Sequence, residues 1–469
     1  MLFRHPLRSL RHLAMLAFSI WMLTLTAALQ QATAQVTTAF FVDMQYKTSN
    51  ANIQVDAAGG MHLAYDYYES VDANAPTSGV YLYCATACED GANWSGVMFG
   101  EQVNEVQLKL TPAAQPRVLF RSRAIDEDRN DFYYAACDQT CTDPAQWTVT
   151  HVTSNRGTAP SDFNEDTLPQ RYFALDPQGR PRFVYNDAVT DHLGTFYAFC
   201  DSDCAYPANW YETKINKDTG EQGPYRYEKF AYPTLAFTPQ GQPRIAADGI
   251  SLQDEFYLYY LACDTNCEAA TNWTSTPLYD RGGGAKVSYD IEIDVQGQPR
   301  IAFYQEALLD DQGARLFYVW CNVDCLAAAN WQSIDLGLGR FNGQGPDLVL
   351  DAAGQPHLAY AVYDVGGVGY SRCTGTCDTP EALWQHQIVE TRDDLRASWP
   401  VAYPINCEAG LWDSLTPSLA LDAAGNPRLA YDATYHAPCT YIPETGEWKP
   451  WDVWQPVWRA VRVNSFTQP

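Results

Sequence analysis

The feature that most constrains this chain is a degenerate repeat that occurs seven times within its 469 residues. Each copy follows the pattern apolar-x-apolar-Asp-x-x-Gly-x-Pro-Arg-apolar-Ala-Tyr, and the clearest copy runs from Leu419 to Tyr431. Alternating apolar residues on both sides of a Gly-containing turn predict two antiparallel strands joined as a hairpin. The copies are centred on Gly59, Ala114, Gly179, Gly241, Gly297, Gly354 and Gly425.

Two positions of this hairpin are predicted to be structural. Three residues before its centre stands Asp in five copies, and Thr111 and Thr238 take that place in the other two. Both residue types bond their own backbone in turns. Three residues after the centre stands Arg or His, so an acid–cation pair across the turn is expected in each copy.

Each hairpin is followed by two further predicted strands. The third is aromatic and ends in cysteine, as in Phe132 to Cys137, and six copies then continue through Cys-x-x-x-Cys to a tryptophan. An apolar residue five positions beyond that tryptophan predicts a short fourth strand, and Trp458 and Val463 keep this spacing in the seventh copy. Four strands per unit and seven units favour an all-β, seven-bladed propeller of four-stranded antiparallel blades over an open β-solenoid.

Three segments divide the chain. Residues 1–34 carry Arg4, Arg8 and Arg11, an apolar run and Ala32-Thr33-Ala34, which predict a cleaved export signal; an uncleaved anchor is the alternative. Residues 35–50 lead into the propeller, which spans 51–469. This leading segment either adds an outer strand to the last blade and closes the ring, or is dispensable because the seventh repeat supplies four strands alone. No later stretch is apolar enough to insert stably into a membrane.

The fourteen cysteines predict disulfides and an oxidising compartment. Metal binding is the alternative, but zinc sites gather four ligands and separate blades would hold the pairs apart. Each small loop contributes about 2 kcal/mol in the chain-entropy model. The predicted bonds join Cys84 to Cys88, Cys137 to Cys141, Cys200 to Cys204, Cys263 to Cys267, Cys321 to Cys325 and Cys373 to Cys377. Cys407 and Cys439 are left to join two long loops.

The charge balance limits the partners. Without the first 34 residues, 27 Lys and Arg stand against 56 Asp and Glu, a formal charge of −29. Such a field repels phosphate backbones and excludes nucleic acid as a natural partner. We expect a secreted, extracellular or cell-surface protein whose partner is a glycan or another extracellular protein.

The Leu-Asp-x-x-Gly-x-Pro-x-x-Ala-Tyr hairpin, followed by an aromatic strand and Trp, resembles the repeats of secreted bacterial propeller proteins. The cysteine-to-tryptophan turn lies where sialidase-like propellers carry their Asp-box, and Glu89-Asp90-Gly91-Ala92-Asn93-Trp94 is the nearest match to such a box. The resemblance covers residues 51 to 466 and implies the architecture, not an activity.

The loops indicate where a ligand would bind. The first-to-second and third-to-fourth turns share one face and are stereotyped, whereas the loops of the opposite face differ from copy to copy. Variety on one face of a rigid scaffold is typical of a binding surface. The position after the second strand also changes chemistry between copies and is expected to ring the mouth of the channel. The candidate ligand-binding residues are Asp66, Arg121, Asp187, Asp248, Tyr227, Arg396, Trp399 and Asp432.

Two further chemistries remain open. Asp126, Asp128 and Asn130 supply the alternating oxygens of a calcium loop, although the sixth-position glycine and twelfth-position glutamate are missing; a hydrated acidic loop is the alternative. His192 with a tyrosine, or the paired carboxylates Asp187 and Asp248, would suit a polysaccharide lyase or glycoside hydrolase working in the funnel. No nucleophile elbow, phosphate loop or zinc-protease helix supports catalysis. The leading hypothesis is therefore a binding protein, and the carbohydrate-active enzyme is the alternative.

Overall fold

The structure, a computed structural model, is built around a ring of β-sheets. It describes residues 36–43, 47–68, 77–123, 129–156, 171–187, 194–216, 229–250, 255–280, 287–306, 313–339, 342–398, 411–442 and 447–466. Seven four-stranded antiparallel sheets form the blades, and in six of them the strand order follows the chain. The seven-bladed propeller predicted from the repeat is confirmed.

The strands of the first three blades have these bounds. Blade 1 contains β2 (Lys47–Val55), β3 (Met61–Tyr68), β4 (Thr77–Cys84) and β5 (Ser95–Phe99). Blade 2 contains β6 (Val103–Leu110), β7 (Pro116–Arg123), β8 (Arg129–Ala136) and β9 (Thr148–Arg156). Blade 3 contains β10 (Phe173–Leu175), β11 (Pro181–Asp187), β12 (Gly194–Cys200) and β13 (Trp210–Lys214).

The next three blades repeat the same order. Blade 4 contains β14 (Lys229–Phe237), β15 (Pro243–Ile250), β16 (Phe256–Ala262) and β17 (Thr274–Asp280). Blade 5 contains β18 (Val287–Ile293), β19 (Pro299–Gln305), β20 (Arg315–Trp320) and β21 (Gln332–Asp335). Blade 6 contains β22 (Asn342–Leu350), β23 (Pro356–Val362), β24 (Gly367–Thr374) and β25 (Leu383–Glu390), followed by the helix α1 (Arg392–Ser398).

Blade 7 closes the ring with strands from both ends of the chain. Its own strands are β26 (Leu411–Leu421), β27 (Pro427–Ile442) and β28 (Glu447–Phe466). The outer strand is β1 (Val36–Asp43), which pairs antiparallel with β28. The leading segment therefore supplies the fourth strand. The alternative, in which the seventh repeat supplies all four strands, does not hold, because Trp458 and Val463 both lie within the third strand, β28.

The hairpin turns owe their uniformity to the acid at their start. In blade 1, Asp56 Oδ1 accepts hydrogen bonds from the backbone N–H groups of Ala58 and Gly60, each at 2.8 Å. Gly59 has a φ of +86°, a conformation that favours glycine. The acid at this position of the repeat also forms the predicted pair with a cation. In blade 5, Arg300 Nη2 lies 2.8 Å from Asp294 Oδ2.

The acid–cation pair is confirmed in the three copies that combine Asp in the turn with Arg. In the two copies with histidine, His62 lies 3.4 Å from Asp56 and His357 lies 3.6 Å from Asp351, and burial lowers the pKa of both imidazoles.

Where Thr replaces the Asp of the turn, the arginine pairs with an acid just beyond the third strand. Arg117 lies 2.7 Å from Asp138, and Arg244 lies 2.6 Å from Asp264. A threonine hydroxyl can bond the turn but cannot neutralise a guanidinium, so a different carboxylate takes over this role.

The six predicted short disulfides are confirmed, and each closes a third-to-fourth turn. They join Cys84 to Cys88, Cys137 to Cys141, Cys200 to Cys204, Cys263 to Cys267, Cys321 to Cys325 and Cys373 to Cys377. The metal-binding alternative for these twelve cysteines is therefore wrong, because every sulfur is bonded to its neighbour four residues away.

A tryptophan completes each of the first five disulfide turns. Its indole N–H donates to the carbonyl of the second cysteine. In blade 2 this bond joins Trp147 Nε1 to Cys141 O at 2.8 Å. The disulfide and the indole together fix the turn that precedes the fourth strand.

The same tryptophans hold neighbouring blades together. Trp147 of blade 2 packs edge-on against Tyr81 of blade 1, with ring centroids 5.0 Å apart. Between blades 6 and 7, Phe466 takes the place of the tryptophan and lies 5.2 Å from Tyr370. The other tryptophans that contact a tyrosine of the preceding blade are Trp210 with Tyr134, Trp273 with Tyr197, Trp331 with Tyr260 and Trp384 with Tyr318.

The hydrophobic core is divided among the interfaces between blades. Residues of adjacent blades form each cluster, such as Val184, Ile215, Ile245 and Tyr259 between blades 3 and 4. Each sheet is thus buried on both faces, so consecutive residues of a strand are apolar and enter different cores, as Ala430 does on one face of β27 and Leu429 and Tyr431 do on the other. Within the described ranges, no helix combines the length and the apolar character needed to cross a bilayer.

Candidate functional site

Asp66, a predicted mouth residue, lies between blades 1 and 2 and is fully buried. Its carboxylate accepts hydrogen bonds from Asn50 Nδ2 at 2.7 Å, Glu105 N at 2.9 Å and Val106 N at 3.0 Å. The last two donors belong to the inner strand of the next blade, where a bulge puts Glu105 at a φ of +56°. Burial raises the pKa of Asp66 to about 7 despite these bonds.

Asp432 repeats this arrangement between blades 7 and 1. Its Oδ2 accepts hydrogen bonds from Asn50 N at 3.1 Å and Thr416 Oγ1 at 2.7 Å. Asp248 is also buried, with its backbone N–H 2.5 Å from the hydroxyl of Tyr289 in blade 5. The sequence predicts these carboxylates around the mouth of the channel, whereas in the structure they are buried between blades. Asp66 and Asp432 support the bulged inner strand of the following blade.

Arg121 lies beside the Asp66 site. Its Nη2 contacts Glu105 Oε1 at 2.8 Å, and the hydroxyl of Tyr172 in blade 3 contacts Glu105 Oε2 at 3.3 Å. The Arg121 side chain is 21% exposed, so it can reach solvent more readily than Asp66. Together these groups form a polar seam that crosses blades 1, 2 and 3.

The inner strands line a central channel with polar side chains that fasten one blade to the next. Gln107 Oε1 accepts from Phe173 N at 3.0 Å, and Ser418 Oγ accepts from Ile53 N at 3.2 Å. Asp290 and Asp347 accept in the same way from Leu348 N and Leu419 N, at 2.9 and 2.6 Å. These side chains form a belt of hydrogen bonds around the channel, since each donor lies on the following blade.

Arg171 crosses the channel and neutralises this belt. Its guanidinium lies 2.9 Å from Asp347 and 3.7 Å from Asp290. It also donates to the carbonyl oxygens of Pro346 at 3.0 Å and Pro417 at 3.1 Å. One side chain from blade 3 thereby contacts blades 5, 6 and 7.

The channel widens on the hairpin-turn side of Arg171 into a cavity of about 590 Å³. Lys109 and Glu292 line it together with Arg171 and the turns that begin at Asp351 and Asp422. On the loop side, Arg171 borders a small recess of about 20 Å³. The guanidinium therefore separates the two ends of the channel.

Buried charge makes this cavity electrostatically unusual. Desolvation raises the pKa of Glu292 to about 8, with Lys109 opposing the shift and the neighbouring acids reinforcing it. Desolvation also raises the pKa of Asp290 to about 6, against the effect of Arg171. The cavity can hold small polar molecules or water, and among its charged groups Arg171, Asp290 and Asp347 are already paired with one another.

The loop face departs most from sevenfold symmetry at blade 7. There β27 has 16 residues and β28 has 20, whereas β3, the corresponding second strand of blade 1, has 8. The two strands remain paired from Asp432 and Val461 outward to Ile442 and Glu447, which extends the hairpin well beyond the other blades. This blade-7 arm, residues 433–442 and 447–460, contains four of the chain's fourteen tryptophans.

The remaining predicted site residues are scattered. Asp187 is half-buried at the end of β11, and Arg396 is exposed on α1. Asn130 is buried and faces Asn155 across the β8–β9 pair. Cys439 pairs along the backbone with Pro450. Asp126, Asp128, His192, Tyr227, Trp399 and Cys407 lie outside the described residues.

Neither chemical alternative has a complete site among the residues that the structure describes. In the part of the chain that the structure describes, no group of three or more His, Cys, Asp or Glu side chains could hold a metal ion. Asp248, one of the two proposed catalytic carboxylates, is only 4% exposed.

The charged channel residues were missed by the sequence analysis. They occupy the positions of the first strand that alternate with its apolar residues, and most copies have small or uncharged residues there. Lys109 and Glu292 stand five residues before the hairpin centre, where the other copies have Gln, Ala or Val. Comparing the copies at that position would have singled them out.

Comparisons with known proteins are limited to distant structural likenesses. No protein-family profile matches the chain, and no curated protein sequence matches it. A protein of unknown function from Dyadobacter fermentans superposes with a TM-score of 0.45 at 10% identity, covering 92% of this chain and 100% of that one. Penicillium chrysogenum alpha-L-arabinanase gives 0.44 at 13% identity, covering 75% and 97%. Polysaccharide lyase Uly1 gives 0.41 at 10% identity, covering 79% and 92%. No conclusion about this chain's ligand follows from them.

Proposed function

We propose that this protein is an extracellular carbohydrate-recognition module that binds its ligand on the variable-loop face of the propeller. The observation that carries the proposal is the contrast between the two faces. On one face, every described hairpin turn is fixed by an acid or a threonine and six third-to-fourth turns by disulfides. The loop face instead carries the blade-7 arm and unequal loops. A rigid scaffold with one irregular face is the usual arrangement of a binding protein.

Two properties of the chain support an extracellular glycan as ligand. Six disulfides among the described residues favour an oxidising compartment. The loop-face segments of the sequence are rich in aromatics beside carboxylates and amides, a combination that packs on the apolar faces of sugars and bonds their hydroxyls.

A glycan array tests the proposal, using the chain from Gln35 onward in the presence of calcium and again with a chelator. Binding to a defined class of oligosaccharide is expected. Dependence on calcium would assign a role to the Asp126–Asn130 loop, and independence would leave that loop out of the site. If the protein binds no glycan on the array under either condition, the proposal is contradicted and a protein partner should be sought.

A matched variant locates the binding face. Removing residues 437–455 of the blade-7 arm and joining the ends with a short Gly-containing turn should weaken glycan binding while leaving the seven sheets folded. Changing Val323 to Ser, on the exposed disulfide turn of blade 5, alters the opposite face and should leave binding unchanged. Equal loss in both variants would argue against a loop-face site.

A further inference from the structure

The hairpin turns have a uniform backbone but do not all pack in the same way. In blades 3, 4 and 5, the glycine of each turn lies against the turn of the preceding blade. A Cβ atom on each of these glycines would lie 3.2 to 3.9 Å from the Cδ atom of a proline in that preceding turn. The pairs are Gly179 with Pro112, Gly241 with Pro177 and Gly297 with Pro239.

The turns of blades 6, 7 and 1 stand apart from their neighbours. A Cβ atom at Gly354, Gly425 or Gly59 would meet no described atom within 4 Å. In the turns that precede these three, the place of the proline is taken by Val295, Ala352 and Ala423. Because no proline ring fills the space between these turns, the ring of turns is open on the side of blades 6, 7 and 1.

This opening leads into the channel cavity of about 590 Å³. Such a volume lies within the range of small-molecule sites, roughly 300–1,000 Å³. Residues 351–353 and 422–425, from the turns of blades 6 and 7, border the cavity. All seven hairpin turns belong to the described residues, so each turn on this face has a defined position around the mouth.

Three polar side chains of the cavity wall are not used by the fold. Gln54, Lys109 and Glu292 stand five residues before their hairpin centres, where the other four copies have Ala or Val. All three are half-buried and line the cavity. Within the described part of the chain, none of them forms a hydrogen bond or an ion pair. The belt of hydrogen bonds comes instead from the position two residues earlier, where Gln107 and Ser418 are bonded to the following blade.

Lys109 and Glu292 lie on opposite sides of the channel. They belong to blades 2 and 5, which are three steps apart in a ring of seven. Burial raises the pKa of Glu292 to about 8, and Lys109 is the strongest of the charges that oppose this shift. The two groups therefore interact through the cavity without pairing. Charged groups that are withdrawn from bulk water and unpaired destabilise a fold, which favours a partner from solution.

The charges of the cavity limit the class of that partner. A dication would meet Lys109, and a dianion would meet Glu292 beside the turn acids Asp351 and Asp422. Among the described residues, no group of three or more His, Cys, Asp or Glu side chains could hold a metal ion. A molecule with one ammonium group and one carboxylate meets an opposite charge at both ends.

We propose that the channel cavity is a second binding site of this protein, which takes a small zwitterion with its ammonium group at Glu292 and its carboxylate at Lys109. Amino acids and longer amino carboxylates belong to this class. The amide of Gln54 both donates and accepts, so it can bond either end of the ligand or a polar group between them. This site lies on the opposite face from the proposed glycan site, and neither site depends on the other.

Titration calorimetry of the full chain from Gln35 tests the proposal, in an amine-free buffer at about pH 8. The probes are ω-amino carboxylates of increasing length, from glycine to aminohexanoate. Affinity should rise with length to a maximum, because both charged ends must reach partners on opposite sides of the channel. The amine and the carboxylic acid of the same length as the best compound each lack one charge, and each should bind at least about tenfold more weakly.

Two variants assign the ends of the ligand. Glu292→Gln and Lys109→Met should each weaken binding of the best amino carboxylate by about tenfold to a hundredfold, the usual effect of losing a hydrogen bond to a charged group. Lys109→Met should bind the amine of matching length as well as it binds the amino carboxylate, and Glu292→Gln should do so with the matching carboxylic acid. Both variants should fold as the parent does, because neither side chain is bonded within the described residues.

Glu381→Gln is the matched control. It makes the same change of charge as Glu292→Gln, but on an exposed turn of the same face. Its affinity for the best amino carboxylate should equal that of the parent protein.

The affinity should also depend on pH, because Glu292 must be ionised to receive an ammonium group. Its pKa is raised by burial and by Asp290 and Asp347, and it is lowered by Lys109 and Arg171. Affinity should therefore rise as the pH increases from about 6 to about 8, the range over which Glu292 ionises in the free protein. Glu292→Gln should remove this rise.

The proposal is wrong if no compound of the series binds, since the cavity would then be only the hydrated end of the channel. It is equally wrong if Glu292→Gln and Lys109→Met bind the best compound as the parent protein does. Either result would leave the glycan proposal standing, because that proposal is tested on the other face.

Discussion

At the scale of single residues, Asp66 shows how the repeat converts a variable position into a structural one. A carboxylate at the end of the second strand meets the exposed N–H groups of a bulge in the next blade, at 2.9 and 3.0 Å. Placing it there removes it from water, so the protein holds a buried acid whose pKa is raised to about 7 from an ordinary 3.8.

This shift predicts a pH dependence of stability. Because the folded pKa is the higher one, the folded state binds more protons than the unfolded state between pH 3.8 and about 7. The contribution of Asp66 is therefore fully present below pH 3.8 and is lost as the pH rises toward 7, by roughly 2–4 kcal/mol. Asp66→Asn, neutral at every pH, should remove this part of the slope in urea unfolding measured from about pH 4 to 8.

The control for that experiment is Glu89→Gln, since Glu89 is exposed on a disulfide turn. For this variant, the free energy of unfolding should depend on pH as it does for the parent protein. If the unfolding free energy of Asp66→Asn keeps the pH dependence of the parent protein, Asp66 remains ionised in the folded state. Its hydrogen bonds would then outweigh the effect of burial on its pKa.

At the scale of elements, the repeat was sufficient to predict the hairpins, the short disulfides and the acid–cation pairs, because each depends on neighbours close in sequence. Phe466 in the place of a tryptophan could not be predicted, since its partner Tyr370 is almost a hundred residues away. The charged residues of the channel could not be predicted either, because their partners are also far away in the sequence. Arg171 meets Asp347 only after the ring has closed, and no local pattern records that contact.

The closing strand is the element on which the ring depends most. Six residue pairs join β1 to β28, and they tie the start of the propeller to its end. Deleting residues 36–43 should expose the edge of β28 and lower the free energy of unfolding by about 3–6 kcal/mol, at about 1 kcal/mol for each lost backbone hydrogen bond. Guanidinium unfolding measures the loss, and size-exclusion chromatography should detect association through the new edge.

Deleting residues 467–469 instead is the matched control, because these residues lie beyond β28. That variant should unfold as the parent does and remain the same size. If deletion of 36–43 were equally harmless, the three strands of blade 7 would suffice and the pairing of β1 would be incidental.

At the scale of the whole molecule, Arg171 contributes what no blade can supply alone, because it contacts blades 5, 6 and 7 from blade 3. Its removal leaves Asp290 and Asp347 buried without their counter-charge. Arg171→Ala should therefore cost about 3–5 kcal/mol, the usual penalty of breaking a buried ion pair from one side. Exposed Arg396→Ala should cost less than about 0.5 kcal/mol.

The cause of that loss can be separated from the loss of packing. If uncompensated charge is responsible, adding Asp290→Asn and Asp347→Asn to Arg171→Met should recover much of the stability at about pH 7, since this cluster then holds no charge without a partner. The asparagine oxygens can still accept from Leu348 N and Leu419 N, so the belt of hydrogen bonds around the channel survives. A triple variant as unstable as Arg171→Ala would instead show that the bonds of Arg171 to the carbonyls of Pro346 and Pro417 hold the ring together. In either case unfolding should stay a single transition, because the blades share their cores.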